Sequence, residues 1–328
     1  MTSTSGIRAL VLLSGGLDSQ LAAALLKAQG IEVTGVVFRS IFFDAQVAID
    51  AARSLGIPLR VIEFNETILG LIEHPAHGFG AGLNPCIDCH TAMIKIAGKI
   101  MREEGFHFVA TGEVLGERPM SQNRRTIPLI AQESGLEGYL LRPLSAKLLE
   151  ITEPEKKGWV DRERLLAIEG RSRRPQMALA RELGITSFPQ PAGGCLLTDP
   201  GYGKKLRDMR KHGEMRNLSA IGLLQTGRHF RLGDCKLIVG RNQYENKTLE
   251  ENAGKDAVII KPRSVPGPVG ALYGKPADDT LSLAGAICAA YCKSGPGLPV
   301  AFDVSSGAGK ILCEFLPAKK EDLEAVRV

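Results

Sequence analysis

Residues 9–19 read Ala-Leu-Val-Leu-Leu-Ser-Gly-Gly-Leu-Asp-Ser. Five apolar residues bounded by a glycine turn predict a buried strand, and the run from Leu17 to Lys27, closed by Gly30, predicts the helix that follows at once. At such a turn the first backbone N–H groups of the helix have no partner and stand beside the positive end of its dipole, a ready cradle for phosphate. Gly15 and Gly16 allow close backbone approach, and Ser14 and Ser19 add hydroxyl donors. Asp18 is wrong for a bare anion, because its carboxylate repels phosphate. It is right if Mg²⁺ stands between them. The lysine-bearing GxxxxGK[ST] loop and the dinucleotide GxGxxG pattern are both absent. A plain glycine turn with an Asp-Ser helix cap is the unremarkable alternative.

Outward from this turn, strand and helix alternate. Strands are expected at 33–38, 59–64 and 108–112, and helices at 44–55 and 91–104. Repeated β-α-β units with short connections imply an α/β fold, a doubly wound parallel sheet covered on both faces. Ligands of such sheets bind at the carboxyl ends of the strands. The glycine turn, the segment after Phe38, and Thr111-Gly112 all fall there and should converge on one crevice.

The chain has 328 residues, more than one average domain. A catalytic domain is expected at 1–150 and a basic helical connection at 151–216, with helices at 159–168 and 175–183. Arg171, Arg173, Arg174, Lys204, Lys205, Arg207, Arg210 and Lys211 crowd this connection, either as phosphate contacts or as a solvated face. A second α+β domain is expected at 217–328, with a Gly-Asp hairpin within 230–239, strands at 258–260 and 300–304, and a helix at 281–292. With 44% hydrophobic and 23% charged residues the composition is that of an ordinary globular protein, and no 18-residue apolar run suits a membrane span. The net charge of +5 is compatible with an anionic partner. The N-terminal segment does not read as a secretion signal, and an odd count of seven cysteines points to reduced thiols and a cytoplasmic location.

Cys86-Ile87-Asp88-Cys89 stands just before the predicted 91–104 helix, and Cys195 follows Ala192-Gly193-Gly194. Cys235, Cys288, Cys292 and Cys313 lie in apolar periodic segments and read as small buried hydrophobes. The first three thiols admit three chemistries. A zinc site would need a fourth ligand from His74, His77 or His90. A redox pair of Cys89 and Cys195 could exchange persulfide and disulfide. A 4Fe–4S cluster on Cys86, Cys89 and Cys195 would leave one iron open for a reacting sulfur.

Ser14-Gly-Gly-Leu-Asp-Ser19 resembles the pyrophosphate loop of the ATP pyrophosphatases. With Asn84-Pro85-Cys86-Ile87-Asp88-Cys89, Ala110-Thr111-Gly112 and Ala192-Gly193-Gly194-Cys195, the stretch 7–200 resembles the tRNA uridine thiolases, both 4-thiouridine synthetases and 2-thiouridylases. Cys86 departs from the 2-thiouridylase pattern, which often has Asp there, and is similar to the cluster-dependent thiolases. The resemblance implies an adenine nucleotide alpha hydrolase-like fold. It also implies ATP and Mg²⁺ held at Ser14, Gly15, Gly16, Asp18, Ser19, Phe38, Thr111 and Gly112, with Asp18, Cys89 and Cys195 catalytic. The implied partners are tRNA and a sulfur donor, either a cysteine desulfurase or inorganic sulfide, with no membrane; a homodimer is among the allowed assemblies. Val239-Gly240-Arg241-Asn242 with Glu245-Asn246, and Pro266-Gly267-Pro268, resemble the RNA-binding domain of NFACT-type proteins over about 228–315. That module suits a grip on the tRNA elbow and favours 4-thiouridine at position 8 over 2-thiouridine at the wobble position. Adenylation of a small molecule is the competing activity.

Overall fold

The computed structural model describes residues 6–189, 194–295, 297–307 and 309–328. The chain divides once, into compact units of residues 1–199 and 200–328. The connection expected at 151–216 is therefore shared out: 151–199 belongs to the first unit and 200–216 to the second.

The first unit runs β1 (Arg8–Leu12), α1 (Leu17–Ala28), β2 (Glu32–Arg39), α2 (Gln46–Leu55), β3 (Leu59–Glu63), α3 (Asn65–Glu73), α4 (Cys86–Glu104), β4 (Phe108–Thr111), α5 (Thr126–Glu133), β5 (Leu140–Leu141), α6 (Glu153–Lys156) and α7 (Arg174–Glu182). Its strands form a parallel sheet in the order β3-β2-β1-β4-β5. Ala9, Leu10 and Val11 of the central strand are fully buried. Ala9 and Val11, with Leu13, Leu26, Phe108, Ala110 and Leu141, form a core cluster of the unit. This is why β1 reads as an unbroken apolar run rather than an alternating one. The order reverses between β1 and β4, which is where a doubly wound sheet opens its ligand crevice.

Two expectations at the sequence level shift. The helix expected at 91–104 begins at Cys86, because Pro85 serves as its N-cap and the Pro85 carbonyl accepts from Cys89 N at 2.8 Å. The proline ring is tolerated there because those first N–H groups lack helical partners anyway. Residues 159–168 are not an α-helix. Only a short 3₁₀ turn forms at Arg162–Arg164, capped by Asp161. The backbone of the segment finds its partners outside itself: Leu166 N donates to Pro143 O, Ile168 N to Leu144 O, and Lys147 N to Leu166 O. Tertiary pairing overrides the helical pattern.

The second unit runs α8 (Pro200–Lys211), α9 (Leu218–Gly222), β6 (Arg228–Leu232), β7 (Cys235–Val239), α10 (Gln243–Asn252), β8 (Val258–Pro262), β9 (Gly270–Tyr273), α11 (Asp278–Ala290), β10 (Val300–Ser306), β11 (Gly309–Phe315) and α12 (Lys320–Ala325). Its antiparallel sheet has the order β11-β10-β8-β9-β7-β6. Gly233, at a φ of +59°, makes the expected Gly-Asp turn between β6 and β7. Phe230, Leu237, Ile260, Phe302 and Ile287 fill the core. The side chain of Lys236 is fully buried and its Nζ meets Asp208 at 2.7 Å. Arg231 joins that network through Asp208 and Glu214.

Candidate active site

The glycine turn lies where the sheet topology places it, after β1 and in front of α1. Gly15 has a φ of +79°, and a Cβ there would lie 2.5 Å from the Val47 backbone, so only glycine fits between this turn and α2. Gly112, just after β4, packs as tightly on the other side: a Cβ would stand 2.5 Å from the backbone of Asp18 and Ser19. The β1 turn and the β4 terminus thus meet at the switch point, and Thr111-Gly112 converges with residues 14–19. Gln20 pins the turn from below, its amide donating to Gly15 O at 2.7 Å and to Ser187 O at 3.1 Å. Ser14 Oγ meets Ser19 Oγ at 3.3 Å, and Ser19 Oγ donates to Gly16 O at 2.9 Å. Phe38 is spent differently. Its buried ring stacks edge-on against Phe64, 5.2 Å between centroids, and is a core element.

Asp18 has a partner that the sequence pattern did not single out. Arg173 Nη1 donates to Asp18 Oδ2 at 2.6 Å and also pairs with Glu117. One residue of the basic segment therefore turns inward. Burial pushes the Asp18 carboxyl up, and Arg173 opposes that shift. Burial raises Glu117 as well. Asp18 Oδ1, Arg173 Nε and both amide atoms of Gln176, a fully buried residue on α7, are buried without a hydrogen bond of ordinary geometry, although the Gln176 amide stands close enough to Asp18 to lower its carboxyl. Orphaned polar atoms are costly unless something else satisfies them. A divalent cation with its phosphate oxygens is the kind of group that would.

The three thiols of interest are drawn to one place. Cys86 and Cys89 lie on the first turn of α4. Cys195 opens the 3₁₀ turn Leu196–Thr198, and Leu83 N donates to Leu197 O at 3.0 Å, tying that turn to the approach to α4. Gly82 is required at this crossing, since a Cβ would overlap the Leu197 carbonyl. Asn84 Nδ2 donates to Cys86 Sγ at 3.1 Å. Burial pushes the Cys89 thiol far up, and the nearby Cys195 and Cys86 sulfurs push it further. Burial also raises Cys86, and Asn84 works against it. Cys195 is exposed at the surface, although the protein packed about its sulfur raises that thiol too. Among the described residues, no three His, Cys, Asp or Glu side chains converge closely enough to hold a metal ion as placed. Ala192 and Gly193 lie outside the described residues.

A second polar cluster went unread in the sequence. Glu113, buried behind Gly112, accepts from Arg142 Nε at 2.8 Å and from Thr111 Oγ1 at 3.1 Å, and meets His90 Nδ1 at 2.8 Å. Burial alone would raise this carboxyl, but Arg142 and His90 hold it down at about 2. His90 is thus fixed by Glu113 at the crevice end of β4. His77 pairs with Glu133 at 2.9 Å, a structural contact. The signal for this cluster was Thr-Gly-Glu after an apolar strand, with a distant Leu-Leu-Arg.

Residues 3–147 match the family described as thiamine biosynthesis protein (ThiI), and residues 227–326 match the NFACT protein RNA binding domain. The first match lies within the unit of residues 1–199 and the second within the unit of residues 200–328. It is 27% identical over 284 residues to a tRNA-specific 2-thiouridylase MnmA from Xanthobacter autotrophicus, covering 78% of this chain and 70% of the relative. It is 30% identical over 153 residues to the MnmA of a Bradyrhizobium species, covering 41% of this chain and 38% of that one. Among solved structures, a 4-thiouridine synthetase–RNA complex with bound ATP aligns with 22% identity and a TM-score of 0.38, over 66% of this chain and 52% of that one. The ThiI-family match takes in the glycine turn, Cys86, Cys89 and Glu113, and stops short of Arg173 and Cys195. Among the described residues, no helix is long and apolar enough to cross a membrane.

Proposed function

We propose that the protein is an ATP-dependent tRNA uridine sulfurtransferase of the cytoplasm, which adenylates a uridine oxygen and replaces it with sulfur. One observation carries this reading: a single unit holds both a nucleotide-type turn with an orphaned Asp18 oxygen and three mutually influencing thiols. Adenylation needs the first and sulfur delivery needs the second.

Ser14, Gly15, Gly16 and Ser19 would hold the departing pyrophosphate, with the dipole of α1 favouring its charge. Thr111 and Gly112 would wall the nucleotide from β4. Mg²⁺ fits at Asp18, whose unpartnered oxygen is the donor atom such a hard cation takes, and it would neutralise charge on the phosphates. Arg173 must then leave Asp18, which frees its guanidinium for a phosphate oxygen. The thiols Cys86, Cys89 and Cys195 have the donor chemistry of a three-cysteine 4Fe–4S site, and the Asn84 amide supplies a hydrogen bond to one sulfur. A cluster there would supply one iron with an open position for the sulfur being transferred. Cys89 and Cys195 are the catalytic thiols in this reading, with sulfur from a desulfurase or inorganic sulfide. The NFACT-type unit would hold the tRNA through its backbone and shape.

The modified site we favour is uridine 8, giving 4-thiouridine. The likeness to tRNA-specific 2-thiouridylases favours a second reading, 2-thiouridine at the wobble position. Pyrophosphate release that requires tRNA and is lost in Asp18→Asn would support adenylation of RNA. Release without tRNA would assign a small-molecule substrate. Nucleoside mass spectrometry of tRNA from a deletion strain separates the two uridines. Iron and sulfide analysis of anaerobically purified protein tests the cluster, and a colourless, iron-free, active enzyme would remove it.

A further inference from the structure

The antiparallel sheet of the second unit has two edges, and the chain treats them differently. At β6 its own C-terminal residues lie alongside. Arg231 N donates to Val326 O at 2.8 Å, Val328 N donates to His229 O at 3.0 Å, and Phe230 bridges Arg327 in antiparallel fashion. At the opposite edge β11 pairs with β10, and no other strand among the described residues flanks it.

An open edge is a template for another strand, and proteins ordinarily blunt it by shortness, proline, a bulge or charged side chains. Of these β11 has only the charges of Lys310 and Glu314. β11 is seven residues long, contains no proline, and keeps an unbroken register with β10 from Ser306↔Gly309 to Val300↔Phe315. Ile311 and Leu312, in mid-strand, are 57% and 56% exposed. Leu298 and Leu316 are also exposed, at the Val300–Phe315 end of the same hairpin. These are four of the nine large apolar side chains exposed among the described residues. Scattered exposed leucines need no explanation, but a concentration on an unpaired edge does.

We propose that β11 pairs with β11 of a second copy, antiparallel, about a two-fold axis at Leu312. The strand reads Gly-Lys-Ile-Leu-Cys-Glu-Phe from 309 to 315. Turned on itself about Leu312, it sets Lys310 opposite the partner's Glu314, and by symmetry does so twice. Ile311 then faces the partner's Cys313, and Leu312 faces its own counterpart. Moving the axis by one residue in either direction sets Lys310 or Glu314 against leucine and loses both ion pairs. The Lys310 side chain is 63% exposed and already leans on Asp303 at 3.1 Å, so it is held on the strand. Opposite charges directly across an antiparallel pair stabilise it, and like charges destabilise it. A two-fold axis requires one self-complementary surface, which this heptapeptide provides. The product is one continuous sheet through both second units. Its contact is small, so micromolar association is expected. This inference is independent of the activity proposed above.

Light scattering on the full-length protein should give a mass that rises with concentration and approaches twice the 35.2 kDa chain mass well above that micromolar range. E314K brings two lysines together at each end of the paired strands and should weaken the dimer about tenfold or more. The double swap K310E/E314K restores opposite charges and should restore the dimer. L312C should cross-link with itself under diamide where the wild type does not, because only that position meets its own copy. All these positions are exposed or half-exposed, and far-ultraviolet circular dichroism checks that the variants fold. A monomeric wild type would overturn the proposal. So would a dimer indifferent to E314K and to the double swap, which would place the contact elsewhere.

Discussion

Replacing Gly112 with alanine places one carbon where the structure has no room for it. The new Cβ would stand 2.5 Å from both Asp18 C and Ser19 N, about 0.9 Å short of the 3.4 Å at which ordinary contact begins. Both neighbours are backbone, so no side-chain rotation relieves the clash. Either β4 or the first turn of α1 must retreat by most of that distance. Overpacking of this kind costs about 1–3 kcal/mol of stability. The larger effect should fall on chemistry, since a displacement near 1 Å of a positioning element costs on the order of 10²-fold in rate. We therefore expect Gly112→Ala to remain folded, to bind ATP weakly by calorimetry, and to lose about 10²-fold in tRNA-dependent pyrophosphate release. Gly70→Ala is the matched control. It lies inside α3 with nothing within 4 Å of its would-be Cβ, so alanine there should stabilise the fold by about 0.5–1 kcal/mol and leave turnover alone. If Gly112→Ala binds ATP and turns over like the wild type, the crevice between β1 and β4 is not the nucleotide site.

Arg173→Met should leave Asp18 and Glu117 facing each other without their shared cation. Both carboxyls, already raised by burial, should rise further, so the variant's deficit should be greatest at neutral pH and shrink as acid protonates them, read by thermal unfolding from pH 5 to 8. Glu113 runs the other way. Its folded pKa of about 2 lies below its ordinary 4.5, so its contribution is complete above pH 4.5 and disappears as pH falls toward 2. Glu113→Gln should cost about 3–5 kcal/mol at neutral pH, by leaving Arg142 buried and unpaired, and should flatten the acid limb of denaturant-measured stability. Alanine at Cys86, Cys89 or Cys195 should each abolish thiolation in a tRNA sulfur assay, whereas alanine at Cys235 or Cys313 should not. Activity surviving all three would separate these thiols from sulfur transfer.

Local pattern carried the parallel sheet, the glycine turn and its helix, and the Gly-Asp hairpin, because each is fixed by neighbours a few residues away. Residues 9–11 of β1, buried in the sheet, had to be apolar, and Gly15 and Gly233 had to be glycine at positive φ. Even the shared position of residues 14–19 and Thr111-Gly112 followed from sequence, since parallel strands must present their carboxyl ends together. The helical pattern at 159–168 misled, because the segment found its hydrogen-bond partners at 143–147. The reach of Arg173 to Asp18, 155 residues away, and of Arg142 to Glu113, 29 away, was not legible. The same residue type serves a solvated face and a buried ion pair, and only packing decides between them. So too with the thiols: sequence named Cys86, Cys89 and Cys195, but the crossing of Gly82 and Leu83 with Leu197 is what brings them together. Short-range geometry is written residue by residue, whereas an ion pair or a cysteine trio gathered from distant segments exists only once the burial of apolar surface has closed the loops between them.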